Sequence, residues 1–127
     1  MTHKIIVPLF VETSRKERVY LNLNTYRNLH YTKNNRAKKK LEAMLFEQLQ
    51  GLKIQTPVVV TYQVFKPSKR RLDKMNVVSI VSKFALDAVT NYGCWTDDSD
   101  EFVKQETILP TVHDKNNGRC EILITEI

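Results

Sequence analysis

Apolar residues recur along this chain with two periods, and the switches between them mark out its elements. Residues 4–11 are rich in Ile and Val and predict a first strand, with Pro8 marking an edge or a bulge. Residues 12–18 are polar and read as a loop or hairpin turn, with 19–23 as the return strand. Residues 24–31 are polar and aromatic, without a clear period. A helix follows, capped by Thr32 or Asn34, with Ala37, Leu41, Met44, Leu45 and Leu49 as its apolar stripe and Gly51 as its stop. Residues 57–65 form the clearest strand. Val58, Val60, Tyr62 and Val64 alternate with Val59, Thr61, Gln63 and Phe65, and apolar residues on both sides predict a central place in a sheet. A second helix is predicted from Asp73 to Asn91, ending near Gly93. Two more strands follow, over 102–111 and 120–127. The segment 113–118 turns between them, with Asn117-Gly118 as a hairpin signal. This order predicts an α/β (α+β) fold: a single mixed β-sheet of about four to five strands, packed with two main helices in one domain over 1–127.

The second helix is not evenly amphipathic. With Asp73 at zero and about 100° per residue, Asn76 falls near 300°, Lys83 near 280° and Asp87 near 320°, with Ser79 and Thr90 near 240° and 260°. Val77, Val78, Val81, Phe84, Ala85, Ala88 and Val89 fill the sector from about 20° to 160°. A solvated face is the simpler reading of such a polar stripe. Three features weigh against it: its side chains are short, it sets one Lys among carboxylates, and a basic loop, Lys66-Pro67-Ser68-Lys69-Arg70-Arg71, leads into it. Helix N-termini attract phosphate, and arginine adds bidentate contacts.

Charge strengthens that reading. Twenty Lys and Arg oppose fourteen Asp and Glu, a formal net charge of +6, which points to a polyanionic partner. Against this background residues 93–101, GCWTDDSDE, are a local reversal: Asp97, Asp98, Asp100 and Glu101 lie within five residues. Clustered carboxylates repel unless a cation compensates, and their hard oxygens suit Mg²⁺ or Mn²⁺. A solvated acidic turn is the plainer alternative. Arg36, Lys38, Lys39 and Lys40 suit a DNA backbone and equally an ordinary solvated helix face. Tyr26, Arg27 and Tyr31 suit contact with a branch point, or loop packing. Trp95 reads as a core plug. Cys94 and Cys120 make neither a disulfide framework nor a zinc site, and His3, His30 and His113 lack ligand spacing. With no signal-peptide pattern and no apolar run of membrane length, the expected location is the cytoplasm, not the membrane and not the exterior.

The ordered series Arg70-Arg71-Leu72-Asp73, Asn76, Lys83-Phe84-Ala85-Leu86-Asp87-Ala88-Val89, Gly93, Trp95 and Asp97-Asp98 resembles the RusA-like family of Holliday-junction resolvases of phages and prophages. The match covers about residues 70–98. The resemblance implies a homodimeric, Mg²⁺-dependent endonuclease that cuts four-way DNA junctions in recombination and repair. It implies Asp73, Asp97 and Asp98 as metal ligands and Lys83 at the scissile phosphate, so that Asp73, Lys83 and Asp98 are catalytic. Asn76 or Asp87 is expected to support them, and from their charge Lys69, Arg70, Arg71, Arg27, Lys39 and Lys40 are expected to bind DNA. The family's second Asp falls on Met75 here, and Ser82 stands where longer-spaced relatives carry an Asp before the Lys. Methionine is a poor Mg²⁺ ligand, so the alternative is a resolvase-like protein that binds branched DNA without cutting it. An unrelated RNA-binding protein is a third reading.

Overall fold

The computed structural model describes all 127 residues. Its main sheet runs in the order β1-β7-β4-β5, from β1 (Thr2–Val7), β7 (Arg119–Glu126), β4 (Val58–Lys66) and β5 (Val103–Ile108). The short β6 (Val112–His113) continues beside β4 beyond the end of β5. β4 is central: β7 lies antiparallel on one side, and β5 and β6 lie parallel on the other. The fold is thus mixed α+β, as expected, with a second, two-stranded sheet added. That sheet is a hairpin of β2 (Phe10–Ser14) and β3 (Glu17–Tyr20). The strand expected over 4–11 is therefore two strands, and Pro8 separates them. β1 crosses to pair with the C-terminal β7.

The period-two pattern of β4 sorts cleanly. Val58, Val60, Tyr62 and Val64 are buried, while Val59, Thr61, Gln63 and Phe65 are half-buried on the sheet's other face. Ile5, Val7, Ile122 and Ile124 continue the inner face into one cluster of 29 buried residues. At the β1 edge Gln48 acts as a substitute strand. Its Oε1 accepts from the Ile6 N–H at 2.7 Å, and its Nε2 donates to the Ile6 carbonyl at 2.8 Å.

Four helices cover the sheet's inner side: α1 (Leu23–Asn28), α2 (Tyr31–Met44), α3 (Phe46–Leu49) and α4 (Lys74–Asn91). α1 occupies the segment that showed no period. It starts because Asn22 Oδ1 accepts from the Thr25 N–H at 2.8 Å, a side-chain cap in an otherwise polar stretch. α2 is capped by His30, ahead of the expected Thr32 or Asn34, with His30 Nδ1 accepting from the Thr32 N–H. Ala37, Leu41, Leu45 and Leu49 are buried as the stripe predicts, but Met44 is 47% exposed. The chain breaks at Leu45 and restarts as α3, and Met44, the last residue of α2, lies outside the packed face.

α4 holds six β-branched residues, Val77, Val78, Ile80, Val81, Val89 and Thr90. Each is a poorer helix former than Ala by roughly 0.5 kcal/mol, about 3 kcal/mol in all. Five of the six are buried, and burying a Val or Ile side chain contributes about 1.5–3 kcal/mol. Packing, not propensity, therefore holds this helix. Gly93 follows its C-cap at φ +73, the left-handed conformation that ends it.

The Asn117-Gly118 hairpin signal is corrected. β5 and β7 do not pair; β4 lies between them. Gly118 does not have positive φ, so no primed turn forms. Its lack of a side chain serves a different need: a Cβ there would lie 2.9 Å from the Pro67 ring.

Candidate nucleic-acid interface

β4 delivers the chain to the basic loop at one end of the sheet, and the loop's shape comes from its own hydrogen bonds. Lys66 Nζ donates to the Arg70 carbonyl at 3.1 Å, and the Arg70 N–H donates to Ser68 Oγ at 3.3 Å. These bonds leave the side chains of Lys69, Arg70 and Arg71 exposed. Only five of the twenty Lys and Arg side chains in the protein enter ion pairs: Lys4, Arg18, Lys33, Lys38 and Arg119. None belongs to this loop, whose cations are free to meet an external anion.

Asp73 is the N-cap of α4 rather than its first helical residue. Its Oδ1 accepts from the Met75 N–H at 3.0 Å, and the residue is exposed. Asn76 is half-buried, and Met75 is 55% exposed beside it. The polar stripe expected along α4 is narrower than the wheel implies. Ile80, which falls near 340° between Asp73 and Asp87, is buried, and so is Leu86 near 220°. The reason is that α4 packs against β4 on one side and against α1 and α2 on another. Ser79 and Lys83 remain exposed, while Asp87 and Thr90 are half-buried.

Two members of the stripe are tied to side chains outside α4. Asp87 Oδ2 accepts from Lys38 Nζ at 2.6 Å, joining α4 to α2. Thr90 Oγ1 accepts from Trp95 Nε1 at 2.7 Å. Trp95 is buried edge-on to Phe102, as a core plug should be. Lys83 Nζ lies 6.0 Å from the Tyr26 ring centroid, and Tyr26 itself packs on Phe84. Lys83 stands ten residues beyond Asp73, about 15 Å along the helix axis.

The acidic segment lies at the other end of α4. The Cys94 N–H donates to the Val89 carbonyl, and the Phe102 and Val103 N–H groups donate to the Ser99 carbonyl where β5 begins. Asp97, Asp98, Asp100 and Glu101 are all exposed on this turn. Asp97 Oδ1 accepts from the Ser99 N–H at 2.9 Å. The Ser99 side chain and then its backbone N–H hold the Asp97 carboxyl below its ordinary range. α4 spans 18 residues, about 27 Å, so Asp73 and the turn that carries Asp97 and Asp98 sit at opposite ends of it. Nowhere in the chain do three His, Cys, Asp or Glu side chains converge into a group that could hold a metal ion. One chain therefore does not bring Asp73, Asp97 and Asp98 together.

Arg27, Lys39 and Lys40 are exposed on α1 and α2 and make no ion pair, whereas Lys38 is taken by Asp87. Two features escaped the sequence. Tyr62, 1% exposed, donates its hydroxyl to Glu106 Oε2 at 2.6 Å, and burial pushes its phenol well above the ordinary range. A Tyr in the otherwise aliphatic inner row of β4 was the available signal, since a buried hydroxyl needs a partner. The second is a cavity of about 400 Å³ between the β2–β3 hairpin and the basic loop, lined in part by Phe10, Tyr20, Pro67 and Leu72. Its walls come from four separate stretches of chain, so no local motif announces it. Comparison of the chain with models of known protein families and with curated proteins finds no match in either.

Proposed function

We propose that this protein is a Mg²⁺-dependent, structure-selective endodeoxyribonuclease that acts on four-way DNA junctions as a homodimer, the activity implied by its resemblance to RusA-like resolvases. The observation that carries the DNA-binding part is the free basic loop. Three exposed cations, none in an ion pair, stand at the N-terminus of an 18-residue helix. Phosphate is favoured there by both the side chains and the helix dipole. Arg27, Lys39 and Lys40 extend the unpaired positive surface.

The nuclease part rests on Asp73, Lys83, Asp97 and Asp98, with Mn²⁺ as the other cation their oxygen donors suit. Asp73, Asp97 and Asp98 would hold the ion, which when bound would supply charge neutralisation at a scissile phosphate and a more acidic water. Within one chain these carboxylates do not fit around a single ion, because α4 holds them apart. The proposal therefore includes the second copy. Two α4 helices related antiparallel by a two-fold set Asp73 of each chain toward the acidic turn of the other.

Mixing two single variants tests this. Asp73→Asn and Asp98→Asn should each bind a synthetic four-way junction and leave it uncut in Mg²⁺. After mixing and subunit exchange, half of the protein is heterodimer with one intact site, and nicking of one strand should return. Cutting by either variant alone refutes the assignment, and failure of the mixture to nick refutes the shared site. The second reading, junction binding without cleavage, is favoured by Met75 and by the separation of the carboxylates. Junction binding by the unaltered protein with no product in Mg²⁺ or Mn²⁺ would establish it.

A further inference from the structure

The cavity beside the basic loop is chemically unusual for this surface. Phe10 and Tyr20 line it with their ring centroids 5.5 Å apart, and Tyr20 is 48% exposed. The Arg18 guanidinium, paired with Glu12 at 3.3 Å, lies 4.0 Å from the Phe10 ring centroid, and Lys115 adds a second, unpaired cation. Asn22 and Asn116 contribute carboxamides. The Asn22 Oδ1 caps α1, and its amide N–H groups make no hydrogen bond within the protein. No carboxylate lines it, although the chain carries fourteen. Pro67 and Leu72, which also line it, bracket Ser68-Lys69-Arg70-Arg71. Its volume, about 400 Å³, lies within the range of small-molecule sites.

We infer that this cavity takes an unpaired nucleobase from the DNA strand whose phosphates lie on Lys69, Arg70 and Arg71. The inference rests on the proposed DNA binding and deepens it. Aromatic faces stack on any base, free carboxamides meet base edges, and Lys115, which makes no ion pair, tolerates the attached phosphate. The residues that flank this loop, Pro67 and Leu72, are also part of the cavity's wall, so a base turned out of its stack beside that backbone faces the cavity that Tyr20 lines. A four-way junction or a mispaired step offers such a base at lower cost than a paired duplex does.

Two readouts test the site. A junction carrying iodouracil at the crossover is bound to the whole protein, irradiated, and the cross-linked peptide is identified. Affinities for that junction and for a paired duplex are measured with the unaltered protein, Tyr20→Ala and Tyr20→Phe. Cross-linking to Phe10 or Tyr20 is expected. Tyr20→Ala should weaken junction binding by roughly 5- to 150-fold, the span for one lost base–aromatic stack. Tyr20→Phe, which keeps the ring, should restore it, and duplex binding should be unchanged. Cross-links elsewhere with full affinity in Tyr20→Ala overturn the site and leave DNA binding standing. In parallel, nuclear magnetic resonance titration with a free deoxynucleoside monophosphate separates the sources. Shifts at Phe10 and Tyr20 without any DNA binding would make the cavity a free-nucleotide site and overturn the DNA reading. No DNA binding and no such shifts would overturn both.

Discussion

The free cations of the basic loop lead to a salt dependence that is calculable in advance. Lys69, Arg70 and Arg71 are exposed and unpaired, so binding DNA costs them no internal partner. Each phosphate neutralised releases condensed counterions and adds about 0.9 to the slope of log affinity against log salt. Replacing all three by Gln should lower that slope by about 2.7 for each chain in contact with DNA. A fourfold rise in salt should then cost the triple variant about 40-fold less affinity than it costs the unaltered protein, again per chain. Fluorescence anisotropy with a labelled four-way junction, repeated over a salt series without divalent metal, measures the slope directly. Lys4→Gln with Lys33→Gln serves as the control. Those lysines already pair with Glu121 at 3.3 Å and Glu17 at 3.1 Å, and their loss should change the slope little. An unchanged slope in the triple variant, or an equal change in the control, would refute the assignment of the loop as the phosphate contact. The control matters because both variants reduce net charge; only the position of the lost charge separates local contact from general attraction.

Two further outcomes follow from contacts that shape the same end of the molecule. Gly118→Ala should destabilise the protein by about 1–3 kcal/mol, because the new Cβ would meet the Pro67 ring at 2.9 Å. Adding Pro67→Ala should recover much of the loss in urea unfolding, and a neutral Gly118→Ala would remove the steric account of this glycine. Acid should loosen the junction of β6 and β7. Arg119 donates to Asp114 and Glu121, both at 2.9 Å, and holds the Asp114 carboxyl below its ordinary 3.8. At Glu121 burial pushes the carboxyl up, but Arg119 and Lys4 outweigh it and leave the net shift downward from 4.5. A depressed folded-state pKa means that the stabilisation is present above the unfolded-state value and is lost as pH falls through the folded one. Urea midpoints should therefore drop as pH falls below about 4.5, and Arg119→Gln should flatten that drop. An equally steep drop in Arg119→Gln would show that other carboxylates govern it.

The sequence by itself determined the elements whose burial pattern is local. The alternating row of β4, the Ala37-Leu41-Leu45-Leu49 stripe and the long α4 each carry their period within a single segment, and a strand with apolar residues on both sides did prove central. The free basic loop was legible too, since a run of cations before a helix start needs no long-range partner to be recognised. Tertiary structure alone decided what depends on a second element. Ile80 is buried on a face the wheel left polar, because α1 and α2 return across α4. Gly118 answers to Pro67 rather than to a turn, and β1 pairs with the last strand rather than with its neighbour in sequence. Asp73 and Asp97-Asp98 look close in a list of motifs, yet the helix between them rises about 1.5 Å per residue and carries them to opposite ends. Periodicity reports the side a residue faces, whereas convergence of a site depends on how far rigid elements carry the chain between its parts.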